Sequence, residues 1–147
     1  MSYAILIDGG FVRRKLGSKK SFVTVEAIQI LIAQIRASSL LTNKELYRIF
    51  FYDALPLDSK ALRPLNGGTE DFGTSSLKAS MTRLFDELKV QPFFAMRFGE
   101  VSFNGWTLKE PLLKRNMETE RITITKDDLK PNVSQKGVDM RIGLDMA

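Results

Sequence analysis

Neither histidine nor cysteine occurs anywhere in the 147-residue chain. The absence of histidine excludes Ser-His-Asp and Cys-His catalysis, together with every zinc site that needs an imidazole ligand. The absence of cysteine excludes disulfides and thiolate metal sites, and it fits a reducing compartment. Any bound metal would therefore be a hard cation such as Mg²⁺, Mn²⁺ or Ca²⁺, held by carboxylate and carbonyl oxygens.

Long apolar runs are also missing. No apolar run reaches the roughly 20 residues that a membrane-spanning helix needs, and no basic segment precedes the first apolar stretch as it would in a signal peptide. The sequence therefore predicts a cytoplasmic protein of one domain with no membrane association. Its net charge of +5 favours polyanionic partners.

The first third of the chain has the pattern of a strand–helix–strand unit. Residues 3–7 are apolar and predict a buried strand that ends at Asp8. Residues 25–37 have the spacing of an amphipathic helix that Thr24 caps, and a β-rich run follows from Leu46 to Tyr52. This order of elements predicts two parallel strands joined by a crossover helix.

The remaining two thirds alternate loops, helices and strands. Residues 54–74 predict a long polar loop, residues 75–88 a second amphipathic helix, and the segment from Val138 onward a third. Asn104-Gly105 is typical of a hairpin turn between β-prone flanks. Residues 120–129 alternate like a strand.

Four segments occur in a fixed order: "AILIDGGF", "LYRIFFYDALP", "MRFGEV" and "QKGVDMRIGLDMA". Together they resemble the NYN domains of the PIN-like nuclease superfamily, in particular the LabA-like branch, over essentially the whole chain. The resemblance implies an α/β fold, a Rossmann-like three-layer sandwich with a mainly parallel central sheet and an inserted β-hairpin. The family continues into a further strand with a last acidic motif, so the resemblance implies a domain over 1–147 that lacks its C-terminal strand and helix.

The resemblance also implies a reaction and its residues. In the family, clustered aspartates bind Mg²⁺ or Mn²⁺ and hydrolyse phosphodiester bonds, usually of RNA. Asp8, Asp139 and Asp145 match these catalytic and metal-binding positions. Where many members have an asparagine shortly after the first aspartate, this chain has Gly10-Phe11.

Each aspartate also has a purely structural interpretation. Asp8 could be a strand-end turn residue, and Asp139 could stabilise a helix dipole. We expect these two to share one cation at the carboxyl edge of the sheet. Asp145 lies about 120° from Asp139 on an ideal helix, which leaves a catalytic role and a surface salt bridge equally open. Asp53 ends the second strand at the same edge, and a turn role is expected for it.

Basic and aromatic residues complete the candidate set. The basic residues form either a phosphate-backbone track for nucleic acid or a solvated surface; they are Arg13, Arg14, Lys15, Lys19, Lys20 and Lys136. Trp106, beside the expected turn, could stack on a base. The phenylalanines at 50, 51, 93, 94 and 98 are expected in the core.

Two functions follow from this pattern. The first is a Mg²⁺- or Mn²⁺-dependent endoribonuclease. The alternative is a non-catalytic nucleic-acid-binding or protein-interaction module with the same fold. Because a sheet without its last strand exposes an edge, we also expect a second copy, a swapped segment or a separate polypeptide to cover it.

Overall fold

Strand β1 (Ser2–Asp8) runs directly into helix α1 (Gly9–Leu16) in the computed structural model, which describes residues 1–147. Helix α2 (Val25–Arg36) then leads to strand β2 (Glu45–Ala54), which pairs with β1 in parallel. The predicted strand–helix–strand unit is therefore confirmed. Its cap is confirmed as well, because the backbone N–H of Ala27 donates to Thr24 Oγ1 at 3.4 Å.

The later elements complete a mainly parallel sheet and a separate antiparallel hairpin. They are β3 (Lys60–Leu62), β4 (Thr69–Asp71), α3 (Ser76–Lys89), β5 (Phe94–Leu108), α4 (Glu110–Arg115), β6 (Leu129–Lys136) and α5 (Val138–Met146). The sheet has the order β1-β2-β5-β6, in which β5 is parallel to β2 and β6 is antiparallel to β5. The predicted helices at 75–88 and from Val138 onward are thus confirmed.

Three local predictions were wrong in position. The hairpin lies inside the expected loop at 54–74, where β3 pairs with β4. Asn104-Gly105 makes no hairpin turn, because β5 continues through it and both flanks pair with β6; the register merely shifts between Phe103 and Trp106. Residues 121–125 contain no strand, and β6 begins only at Leu129. A turn signal specifies a hairpin only when its two flanks find each other as partners.

Two apolar clusters lie on opposite faces of the sheet. The larger cluster has 13 buried residues and includes Ile49 and Phe51 of β2 with side chains of α1, α2 and α3. The smaller cluster contains Tyr52, Ala54 and, from α5, Val138. Since successive residues of a strand point to opposite faces, α1–α3 cover one face and α5 lies on the other.

The surface is large for a chain of this size. The accessible area is 10326 Å², whereas a compact monomer of this mass exposes roughly 7,600 Å². Of the expected core phenylalanines, Phe51 is fully buried, whereas Phe93 remains 49% exposed. No helix has both the length and the apolar character needed to cross a bilayer.

Candidate functional site

A cleft of about 450 Å³ lies where the turn between β1 and α1 meets the turn between β6 and α5. Its lining residues are Asp8, Gly10, Arg14, Gln135, Gly137, Val138, Asp139 and Met140. The fold thus brings the carboxylates of Asp8 and Asp139 to one cleft from opposite ends of the chain. Asp145 is not among the lining residues.

Close packing of α1 on the sheet positions Asp8. Its Oδ1 accepts the backbone N–H of Phe11 at 2.9 Å, so Asp8 caps the helix. A Cβ atom at Gly9 would lie 2.6 Å from both Asp53 Oδ2 and Phe51 Cε1, which only glycine avoids. Gly10, by contrast, faces the cleft. The two glycines therefore serve different purposes: the first allows the helix to approach the sheet, and the second leaves the cleft open.

Two further glycines position Asp139 at the start of α5. Gly137 has a φ of +84°, a left-handed conformation that side chains disfavour. A Cβ atom at Gly99 would collide with the backbone oxygen of Lys136 and lie 2.7 Å from Val138 Cγ2. The turn from β6 into α5 can therefore lie directly against β5. This contact places the first turn of α5, with Asp139, in the wall of the cleft.

Positive and negative groups both border the cleft, an arrangement that suits an anion bound together with a cation. The N-termini of α1 and α5 both border it, and helix N-termini carry partial positive charge. Arg14 adds a full positive charge, while Asp8 and Asp139 supply carboxylates. No group of three or more acidic side chains is close enough to hold a metal alone. Two carboxylates nevertheless fit Mg²⁺, which proteins often bind through one or two carboxylates together with substrate phosphates.

Asp145 lies elsewhere on α5 and has partners of its own. Its Oδ2 accepts the hydroxyl of Tyr52 at 2.7 Å and Arg97 Nε at 3.2 Å, and the Arg97 guanidinium lies 5.1 Å from the ring centroid of Phe50. Burial, and after it the hydrogen bond to Asp145, raise the pKa of Tyr52 to about 12. These contacts join the C-terminal half of α5 to the sheet.

Asp53 forms an ion pair that sequence reasoning missed. Its fully buried carboxylate accepts Arg13 Nε at 2.8 Å and Nη2 at 2.9 Å, and also the backbone N–H of Ala54. Bidentate pairing of this kind is geometrically specific. Asp53 therefore holds α1 against the sheet beneath Gly9. The sequence signal for this ion pair was an aspartate within one predicted strand and an arginine shortly after the neighbouring strand.

The residues that were predicted to contact nucleic acid have three kinds of surroundings. Arg14 lines the cleft, whereas Arg13 is engaged by Asp53. Lys15, Lys19, Lys20 and Lys136 are exposed, the first with its ammonium 5.6 Å from the Phe11 ring centroid. The indole N–H of Trp106 donates to the backbone oxygen of Leu62 at 3.0 Å, and Arg63 lies over its ring. Trp106 thus anchors the β3–β4 hairpin.

Comparisons of the chain with protein-family models, curated proteins and solved structures found no match.

Proposed function

We propose that this protein is a Mg²⁺- or Mn²⁺-dependent endoribonuclease with a PIN-like NYN sandwich fold. The observation that carries the proposal is the shared cleft, in which Asp8 and Asp139 meet at the N-termini of two helices beside Arg14. Such a site offers carboxylates for a cation and positive groups for a phosphate in one place. The resemblance of the four sequence segments to NYN domains supports the same reaction.

Three residues of the cleft have a direct role in this reaction, namely Asp8, Arg14 and Asp139. When bound, the cation polarises the phosphoryl oxygen and lowers the pKa of a water molecule. Asp8 and Asp139 would hold the cation, and the two helix N-termini would offset their negative charge. Arg14 pairs with a phosphate oxygen and keeps the backbone of the RNA in the cleft. Asp145, the third predicted acid, supports this arrangement by holding α5 on the sheet.

A second candidate function is a nucleic-acid-binding module without catalysis. The absence of a third acidic side chain near the first two favours it, since a two-carboxylate site depends on the substrate to complete the coordination of the cation. Binding of RNA without cleavage would identify this alternative.

The test measures cleavage of a fluorescently labelled RNA by the purified 147-residue protein. We expect EDTA to stop cleavage, and Mg²⁺ or Mn²⁺ to restore it. Asp8→Asn and Asp139→Asn should each reduce the rate at least a hundredfold, because each removes a ligand charge from the cation. Asparagine is also a good N-cap, so Asp8→Asn should keep its circular dichroism spectrum.

Asp86→Asn is the matched control, since Asp86 lies on α3 and pairs only with Lys89. It should cleave like the wild type. Equal cleavage by the wild type and by both cleft variants would contradict the proposal. It would show that cleavage does not depend on either carboxylate of the cleft.

A further inference from the structure

We infer that one base of the substrate stacks on Phe11. This inference rests on the proposed function and adds a base-binding residue beside the proposed site. The surface consists of Phe11, Arg14 and Lys15 on one side of α1, followed by Lys19 and Lys20; we call it the α1 platform.

Phe11 is exposed at a fixed position beside the cleft. The residue is 51% exposed, and its backbone N–H donates to Asp8 Oδ1. A single exposed phenylalanine has no functional meaning by itself. This one, however, lies in the first turn of α1, directly after the cleft residue Gly10. The backbone of Phe11 is therefore held within one helical turn of Asp8, the carboxylate that is proposed to bind the cation.

Basic side chains follow Phe11 on α1, and residues 9–16 include no acidic residue. Arg14 and Lys15 are three and four residues after Phe11, so they share its side of the helix. Arg14 lines the cleft, and the Lys15 ammonium lies 5.6 Å from the ring centroid. The exposed Lys19 and Lys20 continue the positive charge beyond the helix. This combination of an aromatic face and a basic track matches proteins that bind single strands by stacking bases and contacting phosphates.

The α1 platform should bind an unpaired strand more tightly than a duplex. In an A-form helix each base is already stacked between its neighbours, and the deep, narrow major groove is closed to side chains. An unpaired base can leave the strand and lie on an aromatic ring. With a phosphate at Arg14, the base of an adjacent nucleotide can reach Phe11 only if it is unpaired.

The experiment measures binding in EDTA, where cleavage is prevented, by fluorescence anisotropy. The two probes are a fluorescein-labelled ten-residue oligouridine and a blunt-ended RNA duplex of two fully complementary strands with the same label. We expect the wild type to bind the oligouridine more tightly. Phe11→Leu keeps an apolar side chain but removes the aromatic face, and it should weaken oligouridine binding about tenfold. Phe11→Trp keeps an aromatic face and should bind the oligouridine like the wild type.

Phe93→Leu is the matched control, because Phe93 is similarly exposed, at 49%, but precedes the first residue of β5, whereas the cleft lies at the carboxyl end of β1. It should bind like the wild type. Unchanged oligouridine binding by Phe11→Leu, or a preference of the wild type for the duplex, would overturn the inference.

The two proposals fail in distinguishable ways. If Asp8→Asn abolishes cleavage while Phe11→Leu binds normally, the ribonuclease stands and the platform is wrong. If Phe11→Leu loses binding but the wild type never cleaves RNA with Mg²⁺ or Mn²⁺, the platform stands and the catalytic proposal is wrong.

Discussion

Four aspartates show how far the neighbours of a residue decide its role. Asp8 and Asp139 face a shared cleft at the start of a helix. Asp53 is fully buried and neutralised by Arg13, and Asp145 accepts the hydroxyl of Tyr52. All four follow or lie near similar apolar residues in the sequence. Only the groups packed against each carboxylate separate a candidate metal ligand from a structural anchor.

Tyr52 provides a pH-dependent prediction at this scale. Its pKa is raised from 10.0 to about 12 in the folded protein, so the neutral phenol stabilises the fold below pH 10. This contribution is lost as the pH rises from about 10 to about 12. We expect the free energy of urea unfolding to fall by up to roughly 2 to 3 kcal/mol over that range because of Tyr52 alone.

Tyr52→Phe should remove this part of the pH dependence, and Asp145→Asn should reduce it. Tyr47→Phe is the control, because Tyr47 is 62% exposed and should leave the dependence as it is. Parallel curves for wild type and Tyr52→Phe would mean that the phenol ionises as readily in the folded chain as in the unfolded chain.

At the scale of elements, the position of α5 depends on glycine at Gly99. Gly99→Ala would press a methyl group against the Lys136 backbone and Val138. We expect the variant to lose about 1 to 3 kcal/mol of stability, as for other overpacked sites. Cleavage should fall as well, since the displaced helix carries Asp139 away from Asp8. Urea denaturation and the RNA cleavage assay measure the two effects.

Gly143→Ala is a control within the same helix. Apart from its chain neighbours and the backbone of α5 itself, no atom lies within 4 Å of a Cβ placed there. Alanine should therefore stabilise α5 by up to about 1 kcal/mol through its helix propensity. If Gly99→Ala were as stable as wild type, the close approach of the β6–α5 turn to β5 would not be required.

At the scale of the whole molecule, β1 forms one free edge of the four-stranded sheet. β1 pairs only with β2, and Ser2–Ile7 carries neither charge nor proline, the usual protections of an edge strand. The accessible surface of one chain exceeds the roughly 7,600 Å² expected of a compact monomer by more than the roughly 800 Å² that each partner buries in a standard interface. We propose that a second copy pairs with this edge through β1.

Sedimentation velocity tests the proposal, with an expected species of twice 16.6 kDa. Ala4→Lys adds a charge to an exposed position of β1 and should produce monomers. Val90→Lys adds the same charge at an exposed residue after α3 and should leave the dimer intact. A wild-type monomer at roughly 100 µM would contradict the proposal.

Local patterns were sufficient to predict the first strand–helix–strand unit, the helix that begins at Ser76, and the helix that contains Asp139. Apolar periodicity and capping residues act between neighbours in the sequence, so they need no knowledge of the rest of the chain. The same holds for Asp8, because a strand that emerges from a core ends at a definite edge of the sheet. Its meeting with Asp139 was expected only through the resemblance of two distant motifs to one family.

The remaining features were decided by which distant segments pack together. The flanks of Asn104-Gly105 pair with β6, so a turn signal became an irregularity within a strand. Arg13 turns inward because Asp53, forty positions away, lies buried beneath α1. Asp145 turns toward Tyr52 because the hydroxyl of this distant residue donates a hydrogen bond to it. The sequence alone determines the charge and shape of each side chain. Which partner the side chain contacts is decided by how segments that are distant in the sequence pack together.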